Sequence, residues 1–309
     1  MNFIKVALIV VVMLLTGCQK QAMYHGPIID VHMHAFSYDR YGQPAPANPV
    51  TQVVPSAKSD LDVMNKTLQM MQKLKITKAV ISGPLEDVTL WKSHNDSAFI
   101  GGLYYHPRTP LLDMPAVEQA VEKGIIGVFG ELGLAYGGLN PSDPSVAAYL
   151  KYAEVNKIPV GIHMALGEPN LALNWAPKFR IKLVNPLVIE ELVLKYPKLK
   201  IYLMHAGWPF LQETKAIMCM FDNVYADLSV INWILPDAEF QSYLKNLMNM
   251  SGLECDLSKK LMYGSDQMIW TDAIELSINN IQKIPFISVQ QKADIFYKNA
   301  FRFFELGDE

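Results

Sequence analysis

Short apolar runs alternate with stretches of helical periodicity along most of the chain. The runs are Ile28 to Met33, Ala79 to Ile81, Phe99 to Leu103, Ile125 to Glu131, Ile158 to Ile162, Lys200 to Met204, Val224 to Leu228 and Leu261 to Tyr263. Runs of this length, bounded by turn residues, predict buried strands. Between the first two, Leu61, Met64, Leu68, Met71 and Leu74 recur at helical spacing, with Asp60 placed to cap them. Further helices are predicted around Met114 to Val121, Val146 to Val155, Pro186 to Tyr196, after Pro209, at Ala238 to Met248 and from Thr271 onward. Eight strands alternating with helices predict one α/β domain, a (β/α)8 TIM barrel over residues 28–309. A doubly wound open sheet is the alternative fold. A nucleotide-binding sheet of that kind carries a Gly-rich turn after its first strand, and here that strand ends in histidines.

Residues 35–59 carry Pro44, Pro46, Pro49 and Pro55 without periodicity and follow the first strand. Such a loop is expected to cover an active site. Half of the 309 residues are hydrophobic, 18% are charged and the net charge is −3. That composition suits a large core, and the lack of a basic run speaks against a nucleic-acid partner.

The N-terminus reads separately. Lys5 precedes an apolar run from Val6 to Leu15, too short for a comfortable membrane span, and Thr16-Gly17-Cys18 follows. Leu15-Thr16-Gly17-Cys18 resembles a bacterial lipobox. The resemblance implies a signal peptide over residues 1–17, cleavage before Cys18 and a lipid on its thiol. Residues 18–27 then form a tether, and Gln19 after the cysteine resembles an outer-membrane sorting context. The expected location is the bacterial cell envelope, lipid-anchored to the outer membrane and facing the periplasm. A plain signal peptide or an N-terminal anchor helix is the alternative. Outside the cytosol Cys219 and Cys255 could pair. Cys219 lies in the apolar helical run Ile217 to Phe221 and is expected as a buried free thiol.

Candidate chemistry collects at strand ends. His32 and His34 alternate in the first strand, so both rings face one side. Glu131, His163, His205 and Asp266 end later apolar runs. In a parallel barrel all strand carboxyl ends open on one mouth. Singly, each has a plainer reading: a histidine bonded to a loop carbonyl, an Asp in a turn, or a Glu paired with a mouth cation.

The ordered set resembles the amidohydrolase superfamily, in its amidohydrolase-2 branch. The residues that carry this are Asp30-Val31-His32-Met33-His34, Phe129-Gly130-Glu131, Gly161-Ile162-His163, Met204 to Pro209, Tyr263 to Asp266 and Lys298 to Phe304. The resemblance implies that His32, His34, His163 and Asp266 face a divalent cation. Imidazoles plus a carboxylate suit zinc, with one position left for water. His205 then contacts the attacking water or a second ion. Asp266 and His205 are the implied catalytic residues, Asp266 moving the proton and His205 steadying water or oxyanion. Many relatives carry a carboxylated lysine on strand four; Glu131 stands there instead, as a ligand or a paired carboxylate. One tight ion is expected, with a weaker second one open. Arg180, in the long segment Ala165 to Asn185, is the candidate to hold a substrate carboxylate, and His106 and Arg108 could line the mouth.

The expected function is a metal-dependent hydrolase of a small-molecule amide, ester or lactone. A metal-dependent non-oxidative decarboxylase is the enzymatic alternative. A non-catalytic surface binding lipoprotein is the alternative from another class. The membrane would be a partner through Cys18, and the oligomeric state is not legible.

Overall fold

The computed structural model describes residues 22–249 and 254–307, so Cys18 and the apolar leader lie outside the described residues. Eight strands are described: β1 Ile28–His34, β2 Ile76–Gly83, β3 Phe99–Tyr105, β4 Val128–Leu132, β5 Val160–His163, β6 Ile201–Met204, β7 Val224–Asp227 and β8 Leu261–Met262. They pair in parallel, in sequence order. The Val31 N–H donates to the Tyr263 carbonyl at 2.9 Å, and the Asp266 N–H donates to the His32 carbonyl at 2.7 Å. These bonds join the ends of the sheet, so the strands form a nearly closed barrel with helices outside.

Two apolar layers follow from strand alternation. Ile29, Val31, Val80, Val128, Tyr202, Met204 and Met262 pack together inside, with Ala300 and Phe303 of the C-terminal helix. Met33, Ile81, Phe129, Ile162 and Leu203 belong to the larger cluster between strands and helices. The helix Asp60–Leu74 shows the complementary pattern, burying Val63, Met64, Thr67 and Met71.

Two register irregularities set the site. Three steps of β1 (Asp30 to Met33) run against two of β2 (Ala79 to Ile81). Three steps of β4 (Phe129 to Leu132) likewise run against two of β5 (Val160 to Ile162). An extra residue of this kind re-aims the side chains that follow it. With Ile29 and Val31 inside, strict alternation would send His32 and His34 outward. With Val128 inside, it would send Glu131 outward too. The extra residues turn all three back toward the axis.

Several boundaries differ from the sequence expectation. Ser59 caps the first helix, its hydroxyl accepting from the Asp62 N–H at 3.2 Å, and Asp60 is the first helical residue. β4 starts at Val128, because Gly124 takes a positive φ of 69° and turns the chain before it. The predicted helix from Pro186 is a 3-10 turn, Pro186–Ile189, followed by Glu190–Lys195. The free-thiol expectation for Cys219 is corrected: Cys219 and Cys255 form a disulfide, their Cα atoms 5.8 Å apart. The end of helix Leu211–Met220 packs beside the segment entering β8, and Cys219 is half-buried. Among the described residues no helix is long and apolar enough to cross a membrane.

Candidate metal centre

His32 and His34 are both buried at the carboxyl end of β1. Each ring has its Nδ1 engaged away from the axis. His34 Nδ1 lies 3.1 Å from the Ser82 carbonyl, and His32 Nδ1 lies 3.1 Å from Asp227 Oδ2. Both Nε2 atoms therefore face inward. His34 Nε2 is 3.0 Å from Asp266 Oδ1 and 3.5 Å from Glu131 Oε2. The ends of β1 and the segment after β8 are locked by Gln267, whose side-chain amide accepts from the His34 N–H at 3.0 Å and donates to the His34 carbonyl at 2.8 Å.

Glu131 lies between two pairs of histidines. Its Oε2 is 3.8 Å from His32 Nε2 and 3.5 Å from His34 Nε2. Its Oε1 is 2.5 Å from His163 Nδ1 and 3.7 Å from His205 Nε2. His163 Nδ1 is 3.0 Å from His205 Nε2, and its other nitrogen is 2.8 Å from the Tyr136 hydroxyl. His205 follows Met204, which faces inward, so alternation would turn it outward. Positive φ values at His205 (61°), Ala206 (50°) and Gly207 (66°) make a left-handed turn that brings the ring back. A Cβ on Gly207 would meet Thr214 Oγ1 at 2.2 Å, so glycine is required there on steric grounds as well.

Asp266 also takes a positive φ, 50°. The two carbonyls before it are held by buried donors: Asn232 Nδ2 to Gly264 at 2.9 Å and Trp233 Nε1 to Ser265 at 2.7 Å. Below the centre, Asp30 Oδ1 accepts from the main-chain N–H groups of His32 and Ser265, each at 3.0 Å. Burial pushes the Asp30 carboxyl up to about 7.

The electrostatics of the centre are those of opposed charges buried together. Burial disfavours charge on His32, but the carboxylates of Asp266 and Asp227 outweigh it and hold its pKa well above the ordinary value. Burial pushes the Glu131 carboxyl up, and the imidazoles of His163, His205 and His32 around it, His163 hydrogen-bonded to it, overcome this and hold it well below the usual range. Asp266 is lowered in the same way, burial being outweighed chiefly by His32. His163 moves down, through burial and the neighbouring His205.

These residues fit a divalent cation. Ligand atoms of His32, His34 and Asp266 lie within 4.8 Å of one another, and so do those of His32, Glu131 and His205. His32 Nε2 and Asp266 Oδ1 are buried and make no hydrogen bond of good geometry, although His34 Nε2 lies 3.0 Å from that oxygen. Buried polar atoms are rarely left so, and a lone pair on each, aimed at shared space, is what a cation satisfies. His163 belongs to neither trio, although its Nδ1 faces Glu131 and His205.

Above the centre is a cavity of about 460 Å³. His34, Glu131, His163 and Asp266 lie on its floor; Phe36, Tyr104, Tyr136 and Trp175 are in its walls; Arg40 and Arg108 bring positive charge. The Arg40 guanidinium sits 4.8 Å from the Phe36 ring centroid, and that of Arg108 sits 5.3 Å from Trp175. His106 and Arg108 thus line the mouth. Arg180 does not line this cavity: it is exposed, and its guanidinium donates to the carbonyls of Pro177 and Phe179. The sequence reading missed Arg40, Tyr136, Asp227, Ser229 and Gln267. Asp227 alone gave a usable signal, a carboxylate one residue before the end of a predicted strand.

Comparison with known proteins agrees with this geometry. The chain is 26% identical over 175 residues to Protein fluG of Emericella nidulans, a match to 52% of this chain and 18% of that protein's length. A probable 2-pyrone-4,6-dicarboxylic acid hydrolase from Acinetobacter baumannii, solved with citric acid bound, superposes with a TM-score of 0.60 at 14% identity, over 90% of this chain and 99% of that one. A 2,6-dihydroxybenzoate decarboxylase superposes with a TM-score of 0.58 at 12% identity, over 92% and 99%. At such identities the two structures speak for the barrel. The amidohydrolase-2 family model, described as Amidohydrolase, matches residues 29–306, nearly the whole barrel, and the chain belongs to that family.

Proposed function

We propose that this amidohydrolase cleaves an amide, ester or lactone bond in a small substrate that carries a carboxylate. The observation that carries the reading is the pair His32 Nε2 and Asp266 Oδ1, buried, outside hydrogen-bond geometry and 3.9 Å apart, with Asp266 on the floor of a cavity that Arg40 and Arg108 also line. His32, His34, Asp266 and Glu131, with His163 and His205 beyond Glu131, are the residues that would hold one ion or two. Their nitrogen and oxygen donors suit zinc. A divalent ion in such a site lowers the pKa of water and polarises a carbonyl.

The chain's own groups have distinct tasks. Asp266 takes a proton from the attacking water and delivers it to the leaving atom. His205 steadies the attacking water, its bare Nε2 accepting a hydrogen bond. Arg40 and Arg108 hold the substrate carboxylate, and the aromatic walls favour a flat substrate. The bulge that turns Glu131 inward gives each of its oxygens a pair of histidines to face, the arrangement a bridging carboxylate needs.

A non-oxidative decarboxylase is the second reading, since one structural neighbour is a decarboxylase and Arg40 and Arg108 suit an aromatic acid equally. We also propose that Cys18 is lipidated and that the protein sits in the bacterial envelope, on the strength of the Leu15-Thr16-Gly17-Cys18 pattern. The test is to load the full chain with zinc or manganese and offer lactones, esters and amides bearing a carboxylate, in heavy-oxygen water. Metal-dependent turnover with one heavy oxygen in the product supports hydrolysis. Carbon dioxide release with no heavy oxygen in the organic product overturns it in favour of decarboxylation. A chain that binds no metal and turns nothing over overturns both enzymatic readings and leaves the non-catalytic binding lipoprotein as the alternative.

A further inference from the structure

Asp227 and Ser229 lie just past the centre, fully buried, at and after the end of β7. Asp227 Oδ1 accepts from three donors: the His205 N–H at 2.9 Å, the Ser229 N–H at 3.0 Å and the Ser229 hydroxyl at 2.5 Å. Its Oδ2 faces His32 Nδ1 at 3.1 Å. The same Ser229 oxygen is 2.8 Å from His32 Nδ1 and 3.0 Å from His205 Nδ1.

The protons can be counted. A serine hydroxyl has one hydrogen and two lone pairs. The hydrogen of Ser229 is directed at Asp227 Oδ1, so toward both imidazoles this oxygen only accepts. His32 Nδ1 and His205 Nδ1 must then both carry hydrogen. Asp227 Oδ2 also requires this of His32, and the Ser229 carbonyl, 3.2 Å from His205 Nδ1, requires it of His205. In the neutral rings the bare nitrogen is therefore Nε2 in each, and each Nε2 faces the Glu131 side of the centre.

We propose that Asp227 and Ser229 act as one positioning element that fixes the tautomer and ring angle of two cation ligands on different strands, His32 and His205. This rests on the metal-centre reading but not on the reaction assigned to it. Carboxylate and hydroxyl partners of this kind hold a ligating imidazole ready, and losing one typically lowers metal affinity about 10–100-fold. Asp227 contacts His32 directly and also holds the Ser229 hydroxyl and the His205 main chain. Ser229 supplies the shared acceptor.

The experiment is chelator competition on the full chain with zinc, together with the visible absorption of the cobalt-loaded protein. Wild type, Asp227→Asn, Ser229→Ala and Ser229→Thr are compared. Asp227→Asn and Ser229→Ala should each weaken zinc binding about 10–100-fold and shift the cobalt spectrum. Ser229→Thr keeps the hydroxyl and should restore both relative to Ser229→Ala. Wild-type zinc affinity and cobalt spectrum in folded Asp227→Asn and Ser229→Ala would overturn the proposal. So would a loss in Ser229→Ala that tracks its thermal midpoint while Ser229→Thr, equally stable to wild type, shows the same loss. If wild type binds no zinc at all, the metal-centre reading fails instead, and the two failures are distinct.

Discussion

Replacing Asp266 by asparagine isolates one carboxylate charge with little change of shape. The main chain at this position is held by groups the substitution leaves alone: the bond from its N–H to the His32 carbonyl, and those from Asn232 and Trp233 to the two preceding carbonyls. The fold should therefore survive. What is lost is the charge and basicity of the carboxylate whose Oδ1 lies 3.0 Å from His34 Nε2 and 3.9 Å from His32 Nε2; an amide is neither a base nor a strong ligand. Loss of a positioned acid–base group lowers a rate by about 10²–10⁴-fold. That corresponds to about 2.7–5.4 kcal/mol of barrier at 1.36 kcal/mol per decade. The assay pairs kcat on a hydrolysed substrate with elemental analysis of the same sample. A fall of this size at unchanged metal content assigns proton transfer to Asp266. The same fall with metal lost assigns it chiefly as a ligand. Near-normal turnover in a folded, metal-loaded Asp266→Asn protein refutes both roles.

Glu131→Gln should lower the metal content after reconstitution, because the carboxylate that faces both histidine pairs loses its charge; equal content and equal activity would remove Glu131 from the centre. Opening the Cys219–Cys255 disulfide, which spans 36 residues, should cost about 4 kcal/mol by loop entropy; urea midpoints of wild type and the double Cys→Ala variant measure it, and coincident midpoints would show that the crosslink does not stabilise this fold. Burial holds the His106 pKa down to about 4 from its ordinary 6.5, so the folded state binds less proton than the unfolded chain. Its contribution to stability is complete above pH 6.5 and is lost as pH falls toward 4; His106→Gln should flatten that limb of the stability profile, and an unchanged limb would contradict the assignment.

Strand number and order were legible because a parallel barrel buries both faces of each strand and writes an apolar run for every one. The candidate donors were legible because each ends such a run. Their aim was not. Simple alternation puts His32 and His34 on one face, which is right, but it gives no way to know which face, since the extra residue between Asp30 and Met33 breaks the parity set by Ile29 and Val31. Glu131 depends on the same device in β4, and His205 on a left-handed turn. These are backbone features without a hydrophobic signature. Arg180 misled for another reason: a cation in a long loop can turn to any side, and this one bonds its own loop's carbonyls. Arg40, from the proline-rich cover loop, reaches the cavity instead. The pairing of Cys219 with Cys255 joins segments whose contact depends on how a helix returns to β8, which no local pattern encodes.

The path of the chain into β1 bears on the proposed anchor. Tyr24 is held at the amino-terminal end of the barrel: its N–H donates to Gln282 Oε1 at 3.0 Å, its carbonyl accepts from Gln282 Nε2 at 2.6 Å, and its ring stacks on Phe296 with centroids 5.8 Å apart. Lys292 is buried and donates to the Ala22 carbonyl at 3.0 Å. Gln282 ends a helix that starts at Asp272 near the mouth, so this clamp is on the face opposite the cavity. Four residue steps lead from Cys18 to Ala22, and an extended chain reaches at most about 3.6 Å per step, so a lipid on Cys18 would keep this face within about 14 Å of its attachment point. If Cys18 carries the proposed lipid, the mouth is expected to open away from the membrane. Cys18→Ser should release the protein from membranes or block its processing, while kcat/KM for a soluble substrate stays the same in released and anchored protein. Unchanged membrane binding and migration of Cys18→Ser would refute the lipid. A large rise in kcat/KM on release would instead show that the anchored mouth is obstructed, and would refute the orientation alone.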